Sequence, residues 1–346
     1  ESIRLDINVS RTGDRVEQAK RLIGQNKTRF AEEIRAEKGR GKPVATCVFK
    51  DPLEETGRIA AELLAYHKAG YPWEEMAVLY RTNSGPRLLI EKLMEYNIPF
   101  CMKDAVPNLY DHWIAKNLIA YLNAAAGDLS RSCILSVINR PNRYISRDAL
   151  ELPVVNWEAV KSFYQDKGWM VERIEQLEYD LKFLRQLAPA AAVNYIRKAV
   201  GYDDYIREYA EYRRMKPEEL FEVLDQLAES AAGFKTVEAW FAHMEEYARE
   251  LKLQARSREK RTEGVSLMTM HSSKGLEYRI VYILDANEGV TPHHKAVLDA
   301  DMEEERRMFY VAMTRAKERL HVNYVSERYS KKQEVSRFVK EYLGRE

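Results

Sequence analysis

VSLMTMHSSKGLEYRIVYILDANEGVTPH (residues 265–293) and EEERRMFYVAMTRAKERLHV (residues 303–322) are the two halves of the stretch that decides the fold. The first half holds two apolar runs, VSLMTM (265–270) and IVYILDA (280–286), suited to the centre of a parallel sheet. The second half predicts a helix over 303–317, with Met308, Val311 and Ala312 on one face. A third strand, LHVNYV (320–325), follows it. Polar residues crowd the ends of these runs. In open α/β sheets, ligands bind beyond the carboxyl ends of the strands.

Outward from there, the pattern alternates. Residues 3–9 and Val44–Phe49 read as strands, 14–25 and 53–69 as amphipathic helices, AVLY (77–80) as a buried strand, 87–96 as a helix and IPFCM (98–102) as another strand. The segment 27–43 is charged and reads as exposed. Strands alternating with helices imply a parallel sheet with helices on its faces. From 113 to about 258 the period is helical throughout, broken at Gly127-Asp128, Pro141, Pro153, Gly168, Pro189, Gly201, Pro217 and Gly233. A last helix is expected over 333–343, with Val335, Phe338, Val339 and Tyr342 on one face. The fold class is therefore α/β. A discontinuous parallel-sheet domain (1–106 and 265–346) carries an inserted all-helical domain (107–264).

The chain has 346 residues, 45% hydrophobic and 32% charged, a composition that fits a soluble globular protein. No apolar run reaches the ~20 residues of a membrane span. No secretory signal pattern opens the chain, and ESIRLDINVS reads as though cut from something longer. The net charge is +1, so any nucleic-acid binding rests on local patches. The three cysteines are far apart and form no CxxC pair, which fits a reducing cytoplasm and neither structural zinc nor a disulfide framework.

Thr269, His271, Ser272, Ser273, Lys274 and Glu277 cluster after one strand, and Arg81, Thr82, Asn83 and Ser84 after another. These types suit phosphate, ribose and base contacts. They equally suit a solvated loop and a turn. Arg315, near the C-terminal end of the expected helix, is placed to reach a transferring phosphoryl group. Lys317 and Arg319 are better explained by the dipole of that helix. His293-His294 read as nucleic-acid or solvent contacts rather than metal ligands. A P-loop is absent: around Gly41-Lys42, Ala36 stands where the first Gly belongs and Pro43 where Ser or Thr belongs. No strand ends in an Asp-Glu pair for Mg²⁺.

LMTMHSSKGLE and EEERRMFYVAMTRAK resemble the fifth and sixth motifs of the UvrD/Rep/PcrA-type superfamily 1 DNA helicases. AVLYRTNSGPRLLIEKLMEYNIPF is similar to the segment after their fourth motif, NLYDHWIAKNLIAYLNAAA to their entry into a helical insertion, and VSRFVKEYL to their C-terminal helix. The resemblance implies a second RecA-like domain with its helical insertion, the C-terminal half of an ATP-dependent 3′–5′ DNA helicase. It implies a missing first RecA-like domain that holds most of ATP and Mg²⁺, and no ATPase in this chain alone. By the same resemblance Arg315 contacts the γ-phosphate, Gly275 and Glu277 the nucleotide, and Arg81, Asn83, Thr269, His271 and His293 single-stranded DNA. The fourth motif usually reads Asn-Tyr-Arg-Ser; here Asn8-Val9-Ser10-Arg11 stands in its place, with Arg11 as its displaced arginine. The Gly-Ile-Gly turn of the insertion is replaced by Tyr144-Ile145-Ser146. Implied partners are single-stranded DNA, single/double-strand junctions, and repair or replication proteins. The rival readings are a helicase-nuclease subunit and a non-catalytic binding module.

Overall fold

A computed structural model describes residues 7–27, 35–38, 43–257 and 263–344, with the backbone alone at 7–13, 15, 35–38 and 257. The chain divides into two compact units, Glu1–Pro107 with Leu251–Glu346, and Asn108–Glu250.

In the first unit, β1 (Ile7–Thr12) leads into α1 (Gly13–Ile23), and β2 (Arg35–Lys38) pairs parallel with β1. Then come β3 (Ala45–Phe49), α2 (Pro52–Lys68), β4 (Met76–Tyr80), α3 (Arg87–Glu95) and β5 (Phe100–Met102). Local chemistry sets these bounds. Asp51 caps α2 by accepting the Glu54 N–H at 2.9 Å, and Pro52 occupies the first turn, where no N–H is needed.

The second unit is helical: α4 (Trp113–Ala126), α5 (Arg131–Val137), α6 (Trp157–Phe163), α7 (Gly168–Leu184), α8 (Pro189–Lys198), α9 (Tyr202–Arg213), α10 (Pro217–Ala231) and most of α11 (Val237–Ser257). Leu118, Tyr121, Ile174, Leu177, Val193, Ile206, Leu224 and Trp240 are among its buried side chains.

The first unit then resumes with β6 (Val265–Thr269), β7 (Tyr278–Ile283), α12 (Asp299–Met313), β8 (Ala316–Val325), a small ribbon of β9 (Glu327–Arg328) and β10 (Lys331–Lys332), and α13 (Arg337–Leu343). Six strands form one parallel sheet in the order β3-β8-β7-β4-β6-β5. This is the α/β, RecA-like architecture expected. Every residue of β4 is buried, as a central parallel strand requires. Strand alternation sends Ala77, Leu79, Val281, Ile283, Leu320 and Val322 into one core with Phe309, Ala312, Phe338 and Tyr342. On α2, Ile59 and Leu63 are fully buried, as are Leu89, Ile90 and Leu93 on α3. Arg306 ties three segments: it donates to Asn26 after α1 at 2.6 Å and to both carboxylate oxygens of Glu341 on α13 at 2.8 and 2.9 Å.

Several boundaries differ from expectation. The helix read at 303–317 runs over Asp299–Met313. Thr314 stops it: its hydroxyl donates to the Val311 carbonyl at 2.7 Å and its N–H to Val311 and Tyr310. Ala316 already pairs with Tyr278, so Lys317 and Arg319 belong to β8 and no helix dipole explains them. The last helix starts at Arg337 because the Ser336 side chain caps it, and Val335 instead bridges Asn287. The strand read at 3–9 is β1 from Ile7; residues 3–6, and 28–34 and 39–42 of the charged segment, lie outside the described residues. β2 (RAEK) lies inside that segment, where no apolar signal announced it.

Gly264 fixes the register of β5 against β6. It has φ of +136°, and a Cβ there would stand 2.8 Å from the Phe100 nitrogen. Gly264→Ala therefore combines a disfavoured backbone with a clash against a strand, and is expected to cost about 2–4 kcal/mol in urea unfolding.

Candidate functional site

The register of the sheet sorts the candidate residues into two groups at opposite edges. Thr269 ends β6 level with Tyr80, the end of β4. Tyr278 begins β7 before Ile280, which is level with Met76, the start of β4. Residues 270–277 therefore run from the carboxyl edge back to the amino edge, roughly 20 Å at ~3.3 Å per strand residue. Glu277 was expected among the residues at the carboxyl edge. It lies at the amino edge, because the connection that begins beside Thr269 must end where β7 starts.

At the amino edge Arg315 occupies the turn between α12 and β8. It lies beyond the end of the helix and is held by the last turn of α12, by Thr314 and by the loop before β7. Its Nε donates to the Val311 carbonyl at 2.9 Å, one terminal nitrogen to the Leu276 carbonyl at 3.0 Å, and the other to the Thr314 hydroxyl at 2.8 Å. Its own carbonyl accepts the Tyr278 N–H at 3.0 Å. These bonds orient the guanidinium. Through Leu276 the arginine fixes the loop carrying Gly275, at φ of +83°, and exposed Glu277. Lys317 lies 3.7 Å from the Glu277 carboxylate, a solvent-exposed pair worth little in stability. A cation and a carboxylate side by side on ordered backbone suit the phosphate and the ribose of a nucleotide.

The carboxyl edge gathers Arg81, Asn83, Thr269, His271 and His293. Asn83 and His271 are exposed, and Arg81, Thr269 and His293 are half-buried. Two acids overlooked in the sequence organise them. Glu305, buried on α12, binds Arg81 through Nε at 2.9 Å and through a terminal nitrogen at 2.5 Å. It also accepts the His293 N–H at 3.0 Å. Asp104, just beyond β5, accepts the Thr269 N–H and the Ser272 hydroxyl, both at 2.6 Å. The Thr269 hydroxyl donates to Ser272 at 3.0 Å, so it is turned into this network. Burial, then the neighbouring His294 and Arg81, hold the His293 ring below the usual imidazole range, which favours its neutral form at pH 7. The signal for Asp104 was available: a carboxylate directly after a buried strand. Glu305 was hidden in an acidic run that looks like ordinary first-turn charge.

Arg11 lies in β1, where four residue steps, Asn8 to Thr12, oppose two, Ala36 to Lys38, on β2. That irregularity spans Val9, Ser10 and Arg11 and can absorb the one-residue displacement; the Arg11 side chain is outside the described atoms. Among the described residues no group of three or more His, Cys, Asp or Glu side chains could hold a metal ion. No described helix is long and apolar enough to cross a membrane.

The sequence model for the UvrD-like helicase C-terminal domain matches residues 3–327. The chain belongs to that family. Among its UvrD-like relatives, it is 28% identical over 353 residues to the putative ATP-dependent DNA helicase YjcD of Bacillus subtilis, covering 98% of this chain and 45% of that protein. It is 29% identical to the ATP-dependent DNA helicase PcrA of Staphylococcus epidermidis (98% and 49% covered). It is 27% identical to the ATP-dependent DNA helicase Rep of Escherichia coli (94% and 51% covered). The chain thus spans about half the length of the curated relatives it matches.

Beneath the carboxyl edge of this UvrD-like domain lies a buried acid cluster. Glu55 on α2 is 1% exposed, and Asp285 after β7 is also buried, at φ of +54°, and paired with Arg328. A Cβ on Gly85, in the turn bearing Asn83, would stand 3.4 Å from Asp285 Oδ2. Burial, then the Asp285 charge, pushes the Glu55 carboxyl well above the ordinary 4.5, with Arg328 opposing. A raised folded pKa gives stability that is present at low pH and lost as pH rises through it. Glu55→Gln is expected to raise the urea midpoint relative to the parent at pH 8 and to leave the two alike at pH 4.

Proposed function

We propose that this chain is the C-terminal motor half of an ATP-dependent DNA helicase or translocase, completing a nucleotide site whose other wall, with the P-loop, belongs to another RecA-like domain. The observation that carries the reading is the separation of two polar clusters on opposite edges of one rigid sheet. Arg315, Gly275 and Glu277 gather on one edge, and Arg81, Asn83, Thr269, His271 and His293 on the other. The names of the relatives support it, since those proteins are described as ATP-dependent DNA helicases.

In this reading Arg315 meets the γ-phosphate of ATP, and Glu277, with Gly275 giving close backbone approach, meets the ribose. A guanidinium anchored by its own turn needs no reorganisation as charge develops on the transferring phosphoryl group. Arg11 is a second candidate for the phosphate. Mg²⁺ falls, by the same resemblance, to the P-loop domain. Single-stranded DNA runs over the carboxyl edge. Asn83 and His271 are presented to it directly, while Arg81 exchanges the Glu305 carboxylate for a DNA phosphate. The neutral His293 contributes a hydrogen bond rather than a charge. Polarity of 3′–5′, action at single/double-strand junctions, a cytoplasmic setting, and repair or replication partners follow from the resemblance alone.

Purified by itself, the 346-residue chain is expected to hydrolyse no ATP above background in a phosphate-release assay. In the protein that joins it to its P-loop domain, Arg315→Ala should cut turnover by about 10³–10⁵ while single-strand affinity stays within about twofold. A parallel fall of both would make Arg315 a DNA contact or a structural residue. Arg81→Ala should lower the slope of log K against log salt for single-stranded DNA by about 0.7; an unchanged slope would leave Arg81 a partner of Glu305 only.

A further inference from the structure

The helical unit carries an apolar surface that neither the nucleotide nor the DNA reading uses. A 3-10 turn ends at Leu150, and the chain then runs over the surface to an isolated bridge at Val154. Leu150 and Val155 are buried at its two ends, and between them Leu152 and Val154 are 52% and 64% exposed. Phe163, at the end of α6, is 55% exposed. Two hollows flank Leu152, of about 180 Å³ and about 530 Å³, and Leu152, Val155 and Asn156 line both. The charged side chains lining them are all acidic: Asp148 and Glu151 on one side, Glu158 and Glu178 on the other. The cations nearest in the bonding pattern are turned inward. Lys161 binds Glu158 at 2.5 Å and Glu178 at 3.2 Å, and Arg131 Nε donates to the Leu150 carbonyl at 2.5 Å.

The backbone adds a third property. The Arg131 N–H donates to Pro153 at 2.8 Å, and the Val155 N–H to Leu129 at 2.7 Å. These bonds bracket the antiparallel bridge of Ser130 with Val154. In such a bridge the N–H and C=O of the central residue point away from its partner. Val154 therefore presents a main-chain donor and acceptor on the outer edge of this bridge, beside its own exposed side chain.

We propose that this surface docks an extended segment of a partner protein, in which apolar side chains alternate with Lys or Arg. The segment adds to the Val154 edge by main-chain bonds, seats apolar side chains over Leu152 and Phe163, and places its cations against Asp148 and Glu151, the two lining carboxylates that Lys161 does not bind.

A fluorescein-labelled peptide of sequence Lys-Val-Lys-Leu-Lys-Val-Lys, titrated with the whole protein and followed by anisotropy, tests this. Its sign-reversed counterpart with Glu in place of Lys is the control. The cationic peptide should bind saturably and the acidic one should not. Phe163→Ser, Glu151→Lys and Val154→Pro should each weaken binding at least tenfold. All three positions are exposed, so the variants are expected to keep the parent melting temperature; should Val154→Pro unfold, the other two decide. The proposal is overturned by absence of saturable binding, or by equal binding to the folded variants. It is overturned as well by competition from a single-stranded oligonucleotide, or by self-association of the protein that Phe163→Ser abolishes. None of these readouts involves ATP or the motor reading.

Discussion

Parallel pairing of strands is the constraint from which the geometry follows. Each connection between two parallel strands must carry the chain from the carboxyl edge of the sheet back to its amino edge. In most of this sheet a helix makes the return. Between β6 and β7 a segment of eight residues, Met270–Glu277, makes it without one. That short return sets Thr269 and His271 at one edge and Gly275 and Glu277 at the other, joined by a stretch too short to hold much slack. The two edges are thus mechanically continuous. Lys274 bonds back to His271, Leu276 to Ser273, and Arg315 clasps the far end through the Leu276 carbonyl.

Both edges hold their charged and polar groups by hydrogen bonds to fixed neighbours. At the amino edge the Arg315 guanidinium is oriented by the Val311 and Leu276 carbonyls and the Thr314 hydroxyl. At the carboxyl edge, cation and polar groups are held by carboxylates, Glu305 for Arg81 and Asp104 for the Thr269–Ser272 network. A carboxylate holds a cation more tightly than a carbonyl does but must be displaced before a phosphate can take its place. The buried Glu55–Asp285–Arg328 cluster underlies the second edge and contributes its own dependence on pH.

Strand and helix identity in the first unit could be read from periodicity because its central strands are buried on both faces and its helices are amphipathic. Ends were harder. Thr314 and Ser336 stop and start helices by single hydrogen bonds, and a run such as VAMTRAK keeps its helical texture across such a break. β2 escaped notice because RAEK has only the small Ala36 among three charged side chains to show. For the site, residue types at strand ends were visible, and likeness of motif gave them roles. Which edge each occupied was not visible, since edge follows from register, and register is a property of paired strands that a linear pattern does not contain. Glu305 and Asp104 were missed for a related reason. Their partners are 224 and 165 positions away in the chain.

The place where the helical unit interrupts the sheet has a kinetic consequence. β5 and β6 are neighbours in the sheet, yet Cys101 and Glu263, which bond beside their junction, are 162 positions apart. Closing a flexible loop of that length costs about 4–5 kcal/mol of chain entropy before any strand contact forms. In the helical unit, contacts between successive helices (α4–α5, α6–α7, α8–α9 and α9–α10), the kind that forms fast, are joined by longer-range ones such as α4–α7 and α8–α10. Once folded, it replaces a long random walk between β5 and β6 with a compact body. The route of least cost is therefore folding from the middle of the chain outward, with the sheet the last element to close. A lesion in the helical unit would then appear first as slow formation of the parallel sheet, before it appeared as any change in the finished protein.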